Sequence, residues 1–279
     1  MKERVVTCER IEAYRQHLIR EEKSGATVEK YLRDVCAFAG YAGSKAVSKE
    51  VVVGYKQHLQ LREYAVRSIN SMLASVNSLL SFLGWTDCRV KTIKQQKQVY
   101  CAEEKELTKA EYMRLLAAAK KKPQLHLLMQ TICGTGIRVS ELKFFTVEAV
   151  RKGEVTVDCK GKTRTILIPD KLRKRLQSYA EKEKIRTGSI FKNRNGGPLN
   201  RCSIWAQMKA LCEEAGVSPS KVFPHNLRKL FARTFYGIEK DIAKLADILG
   251  HSSIDTTRIY IMTTGTEHRR KIERLGLVV

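Results

Sequence analysis

No stretch of the 279-residue sequence approaches the roughly 18 uninterrupted apolar residues that a membrane-spanning helix needs. The start, Met1-Lys2-Glu3-Arg4, leads into a charged segment and lacks the apolar core of a secretory signal. Both absences point to a soluble, cytoplasmic protein with no membrane partner. Organised cysteine is also missing: the eight cysteines, at positions 8, 36, 88, 101, 133, 159, 202 and 212, form no Cys-x-x-Cys pair and no zinc or disulfide spacing. They are expected to be free thiols, some of them small core residues, as Cys36 on an apolar helix face suggests. Internal repeats and low-complexity tracts are absent.

Positive charge is in excess. The chain has 52 Lys+Arg against 29 Asp+Glu, a net +23 that exceeds what solubility requires. A polyanionic partner is implied. Up to Lys105 there are 18 basic and 12 acidic residues, leaving +6; beyond it there are 34 and 17, leaving +17. Both parts can therefore meet phosphate. Composition alone also fits a merely basic surface of the ribosome-associated or heparin-binding kind.

The length and the 43% hydrophobic content predict two domains, each with its own core. In the first, Val66, Ile69, Met72, Leu73, Val76, Leu79, Leu80 and Leu83 recur at helical period. Between them Arg67, Ser68, Asn70, Ser71, Ser75, Asn77 and Ser78 form a polar face suited to a DNA groove, although a plain solvated face is at least as common. A second helix is expected to start at Thr27 as N-cap, with others around Ile11 to Ile19 and Val51 to Leu61. From Cys88 to Glu106 the pattern lapses, and Leu107-Thr108-x-x-Glu111-Tyr112 then reads as a capping box that opens a new domain. The division is a helical domain over 1–87, a linker over 88–106 and a second domain over 107–279. In that second domain 154–159 and 163–168 read as a hairpin joined by Lys160-Gly161-Lys162, with a basic helix after Pro169. The fold class is mainly α with a small antiparallel β-sheet.

Several residues in the second domain have chemistry in common. Arg138 lies in Thr135-Gly136-Ile137-Arg138, Lys160 in the hairpin turn, His225 and Arg228 in His225-Asn226-Leu227-Arg228, and His251 after Gly250, with Tyr260 nine residues later. Singly, each is most often a surface, capping or core residue. A phosphodiester under attack needs these types together, because arginine forks bind nonbridging oxygens and balance the charge of a pentavalent transition state. His225 and Arg228, three apart, would share one helix face. An imidazole there can accept the nucleophile's proton or donate to the phosphate.

In this order and spacing the chain resembles the tyrosine recombinase (phage integrase) family, in particular its simple Xer-type members. Thr27-Val28-x-x-Tyr31-x-Arg33-Asp34-x-x-x-Phe38 is similar to the family's first-domain pattern, and Arg138, His225, Arg228, His251 and Tyr260 match its catalytic pattern. The resemblance implies a two-domain DNA clamp, a helical core-binding domain plus a catalytic domain, with core-site binding only. It implies that Tyr260 attacks the scissile phosphate to give a 3′-phosphotyrosyl link, releasing a 5′-hydroxyl that can attack a partner strand's link. Bond energy stays in the intermediate, so no ATP, cofactor or metal is implied. Lys160 matches the family's turn lysine, a general acid for the leaving oxygen, with Lys162 close enough to be mistaken for it. His251 matches a phosphate-facing position, and Glu141 a supporting one, although a helix-surface glutamate is almost as common. The implied partners are double-stranded DNA with paired inverted half-sites and a homotetramer, with or without a second recombinase. An inactive DNA-binding regulator of the same fold, or type IB topoisomerase-like nicking and resealing, are the competing readings. The tail after Tyr260, basic at Arg269, Arg270 and Lys271 and then apolar at Ile272, Leu275, Leu277, Val278 and Val279, is expected either to fold back or to dock on a neighbouring protomer.

Overall fold

The apolar stripe that begins at Val66 becomes the central helix of the first of two compact units, Met1–Lys97 and Gln98–Val279. The structure is a computed structural model that describes residues 4–96, 100, 103–159, 162–193 and 195–277. In the first unit α1 (Cys8–Arg20), α2 (Gly25–Ala42) and α3 (Lys49–Leu61) surround α4 (Val66–Phe82). Leu73, Val76 and Leu80 of α4 pack with Phe38, Val52 and Tyr55, while Leu79 joins Tyr14, Leu18 and Val35. These faces are apolar at helical spacing, and truncating a fully buried leucine such as Leu73 to alanine costs about 2–5 kcal/mol.

Three local expectations are corrected here. The helix expected to start at Thr27 starts at Gly25 with Ser24 as N-cap, and the Ser24 and Thr27 hydroxyls hydrogen-bond each other at 2.8 Å. Cys36 is exposed: α2 buries Val35 and Phe38, and one residue further along is a 100° rotation that turns the thiol outward. The polar face of α4 also has a structural task. Asn70 exchanges two hydrogen bonds with the backbone of Ile93 (2.9 and 2.8 Å), and Asn77 does the same with Val90 (2.8 and 3.0 Å). Ser75 is buried and donates to Asp34, which is paired with Lys30 at 2.7 Å. The extended chain after Cys88 is thereby strapped to the first unit.

The second unit opens with the expected capping box, since Glu111 N–H donates to the Thr108 hydroxyl and Thr108 N–H to the Glu111 carboxylate. It continues through α5 (Lys109–Ala118), α6 (Pro123–Thr135), α7 (Val147–Lys152), the strands β1 (Glu154–Cys159) and β2 (Lys162–Leu167), and α8 (Asp170–Lys182). Then follow α9 (Arg201–Lys209), α10 (Cys212–Ala215), α11 (Pro224–Glu239), α12 (Ile242–Leu249), α13 (Ile254–Ile261) and α14 (Gly265–Glu273). The strands pair antiparallel with Cys159 opposite Lys162, so Lys162, expected in the connecting turn, begins β2, while Lys160 and Gly161 lie outside the described residues. Val155, Val157 and Ile166 set that register by sharing the buried face. The fold is mainly helical with this one small sheet among the described residues.

Helix α11 packs against α6 and α13, which gives the C-terminal part its shape. The chain entering the unit is stitched along α11. Asn226 donates to the Lys105 carbonyl at 2.7 Å, and buried Glu106 pairs with Lys229 (3.1 Å) and Arg233 (3.0 Å). The apolar residues of the tail, Ile272, Leu275 and Leu277, are 53%, 62% and 82% exposed, whereas Val278 and Val279 lie outside the described residues. No helix among the described residues is long and apolar enough to cross a membrane.

Candidate active site

Two helix ends create the site. Helix α6 stops at Gly136, whose φ of +67° is left-handed and whose missing Cβ would lie 2.4 Å from the Phe231 ring. Two residues on, Arg138 has extended backbone and caps the short 3-10 turn Val139–Phe144. Its N–H donates to Glu141 Oε2 at 2.8 Å, its Nη1 to Glu141 Oε1 at 3.0 Å, and its Nη2 to the Gly250 carbonyl at 3.3 Å. Glu141 is therefore not a surface residue: it is fully buried, and Arg164 of β2 reaches it with Nη1 at 3.2 Å and Nη2 at 2.7 Å. Burial pushes this carboxyl up, but the Arg138 N–H and both guanidiniums outweigh it and hold it below the ordinary value.

Helix α11 starts at Pro224 and presents His225 and Arg228 one turn apart. Arg228 is 1% exposed. It donates from Nη1 to the Gly136 carbonyl and from Nη2 to the Leu249 carbonyl (2.6 Å), while its buried Nε has no partner. Burial, then repulsion from Arg138, lowers its pKa to about 10, so it stays cationic at neutral pH.

The second helix end is that of α12, closed by Gly250 at φ +62°. His251 follows, with Nε2 at 3.0 Å from Arg228 Nη2 and Nδ1 at 2.8 Å from the hydroxyl of buried Thr257. A guanidinium only donates, so Nε2 must accept, and the imidazole is neutral with its proton on Nδ1 directed at Thr257. Burial, and then Arg228, Arg138 and Arg164, lower its pKa to about 4. His225 is also lowered to about 4, by burial and then by Lys229, Arg228, Arg201 and Arg138. His225 is exposed, so its desolvation is partial and the four cations act in the same direction.

Tyr260, on α13, is 7% exposed and lies between these two rings. Its centroid is 5.1 Å from that of His225 and 4.9 Å from that of His251, with the Arg228 guanidinium 5.9 Å from the ring. Beside His225 and Arg228 is a cavity of about 660 Å³ lined by Arg138, His225, Arg228, Arg201 and Trp205 among others, with Tyr260 and His251 outside its lining. Its three arginines suit an anion.

The structure thus brings together Arg138, His225, Arg228, His251 and Tyr260 from four separate stretches of sequence. Lys160 lies outside the described residues. Sequence reading missed Arg164, Arg201 and Thr257. Arg164 had a legible signal, since at period two it shares a face with Ile166 and Ile168, where a charge needs a buried partner. Thr257 had none.

The profile of the Phage integrase family matches residues 105–266, and that of the Phage integrase N-terminal SAM-like domain matches residues 11–87. Tyrosine recombinase XerA of Pyrococcus furiosus is 28% identical over 100% of this chain and 98% of its own length. XerA of Thermococcus kodakarensis is 30% identical over 96% and 95%. Among solved structures, a lambda integrase tetramer bound to a Holliday junction is similar in fold, with TM-score 0.73 and 17% identity over 90% of this chain and 76% of that one. With both profiles matched and relatives aligned along nearly the whole chain, the protein belongs to the phage integrase family of tyrosine recombinases.

Proposed function

We propose that this recombinase cleaves and rejoins double-stranded DNA with the Tyr260 hydroxyl as nucleophile, and that Arg138, Lys160, His225, Arg228 and His251 serve the reacting phosphate. The observation that carries the reading is the enclosure of the Tyr260 ring by His225, His251 and Arg228, with the Arg138 guanidinium linked to the same His251 loop through Gly250. The Tyr260 oxygen bonds to phosphorus as the bond to the 5′-oxygen breaks, leaving a 3′-phosphotyrosyl link and a 5′-hydroxyl. Arg138 and Arg228 balance the nonbridging oxygens. Neutral His225 can take the tyrosine proton or, once protonated, donate to the phosphate. By family pattern Lys160 supplies the proton to the leaving oxygen. Return attack by a 5′-hydroxyl reseals the strand, and attack by one from a partner strand exchanges it.

The likeness to a lambda integrase tetramer bound to a Holliday junction supports a homotetramer on DNA; by family pattern it acts on paired inverted half-sites, in the cytoplasm. A steep fall of DNA affinity with salt is expected from the +23 charge. The decisive variant is Tyr260→Phe, which keeps the ring packing and removes only the hydroxyl. On a nicked half-site DNA analysed on a denaturing gel, the wild type is expected to form a covalent adduct and the variant none, with gel-shift affinity retained. An adduct in the variant overturns the assignment of Tyr260. Binding without an adduct in the wild type would instead describe a DNA-binding regulator.

A further inference from the structure

Glu141 poses a charge problem next to a phosphate site. A buried carboxylate paired to Arg138 alone would cancel that guanidinium, and the neutral pair would offer little to an incoming phosphate. Arg164 changes this balance, because two guanidiniums on one carboxylate leave the cluster with a net positive charge. Arg138 lines the cavity and Arg164 does not, so the surplus charge is presented through Arg138.

The position of Arg164 is otherwise hard to explain. It lies on the face of β2 that also carries Ile166, both opposite buried valines of β1, with its own side chain 15% exposed and its Nε buried without a partner. For packing alone, an aliphatic side chain would serve this face better. Its side chain also lies against Gly250, where a Cβ would stand 2.4 Å from Nη1 and 2.8 Å from Cδ. Gly250 in turn accepts from Arg138 and precedes His251. One side chain thus joins the hairpin strand, the Glu141–Arg138 pair and the loop that carries His251.

We infer that Arg164 is a positioning residue for strand cleavage, which neutralises Glu141 so that Arg138 keeps its charge toward the scissile phosphate. The inference rests on the reading that the chain cleaves DNA through Tyr260. The test compares covalent adduct formation on half-site DNA carrying an ordinary scissile phosphate with that on the same DNA carrying a methylphosphonate, which has one negative charge fewer. The wild type on ordinary phosphate tests the Tyr260 reading separately. Arg164→Met is expected to slow adduct formation on phosphate by about tenfold to a hundredfold, the range of groups that orient a reacting side chain from behind. On the methylphosphonate that loss is expected to shrink severalfold. Arg164→Lys, which keeps the charge, is expected to recover part of the rate. Should Arg164→Met fail to fold by circular dichroism, the double variant Glu141→Gln with Arg164→Met restores the net charge and is expected to cleave phosphate faster than Arg138→Ala. An Arg164→Met protein with the wild-type rate, one with the same loss on both substrates, or a folded double variant no faster than Arg138→Ala overturns the inference.

Discussion

His251 should make the second unit acid-labile by an amount that can be worked out. Unfolded, its imidazole titrates near about 6.5; folded, it titrates at about 4, because it is partly buried, faces three arginines and accepts from Arg228. Between these values the unfolded chain takes up a proton that the folded chain refuses. The contribution of His251 to stability is therefore complete above pH 6.5, declines as the pH falls, and is lost below about 4. The gap corresponds to about 3 kcal/mol in full, of which about 2 kcal/mol is gone by pH 5. His225 acts in the same direction, weakened because the residue is exposed to solvent. His251→Gln removes the titration while keeping an acceptor for Arg228 and a donor for Thr257. Urea unfolding followed by Trp205 fluorescence in a Trp85→Phe background reports the second unit alone, since the chain has two tryptophans. Between pH 7.5 and pH 5 the wild type is expected to lose about 2 kcal/mol more than His251→Gln. Equal losses in the two proteins would refute the bonded neutral imidazole deduced from the geometry.

Lys160→Ala is expected to slow cleavage far more than Lys162→Ala, with a 5′-bridging sulfur in the DNA rescuing only the former; failure of that selective rescue removes the general-acid role. Gly250→Ala forces a left-handed alanine, a cost of about 1–2 kcal/mol, and sets its Cβ against Arg164, so the second unit is expected to melt lower, and an unchanged Tm contradicts this. Deleting Ile272 to Val279, whose described apolar side chains are exposed, is expected to preserve folding and single half-site binding but to weaken cooperative filling of paired half-sites in gel-shift titrations. Unchanged cooperativity excludes docking of the tail on a neighbour.

The helices and the site were legible to different degrees, for physical reasons. The stripe of α4 and the capping box at Thr108 depend on neighbours in sequence, and the structure shows both. The tasks of Asn70 and Asn77 were not legible, because an amide that binds a strap 23 or 13 residues ahead looks the same in sequence as one that faces water. Cys36 was misread for the opposite reason: its neighbours are apolar, but only its rotation about α2 decides burial. The family motif groups Tyr260 with His225 and His251, whereas Arg164 lies outside that motif; the strand period marks it as a buried charge, but its partner Glu141 is 23 residues away.

The two motif glycines illustrate how the sequence encodes a buried charge. An arginine as enclosed as Arg228 needs strong acceptors, yet a second carboxylate beside it would repel the phosphate proposed to bind there. The chain uses helix ends instead. Gly136 and Gly250 terminate α6 and α12 in left-handed geometry, leaving the carbonyls of Gly136 and Leu249 free of intrahelical partners and directed at the two ends of the Arg228 fork. These carbonyls are the negative poles of their helices, so they favour the cation without adding a formal negative charge. Threonine, glycine and arginine near residue 136, and leucine, glycine and histidine near residue 250, are therefore parts of one device although more than a hundred residues separate them. Each glycine ends a helix where Arg228 requires a carbonyl, and Arg138, two residues after one end, and His251, directly after the other, are delivered to the same proposed phosphate site.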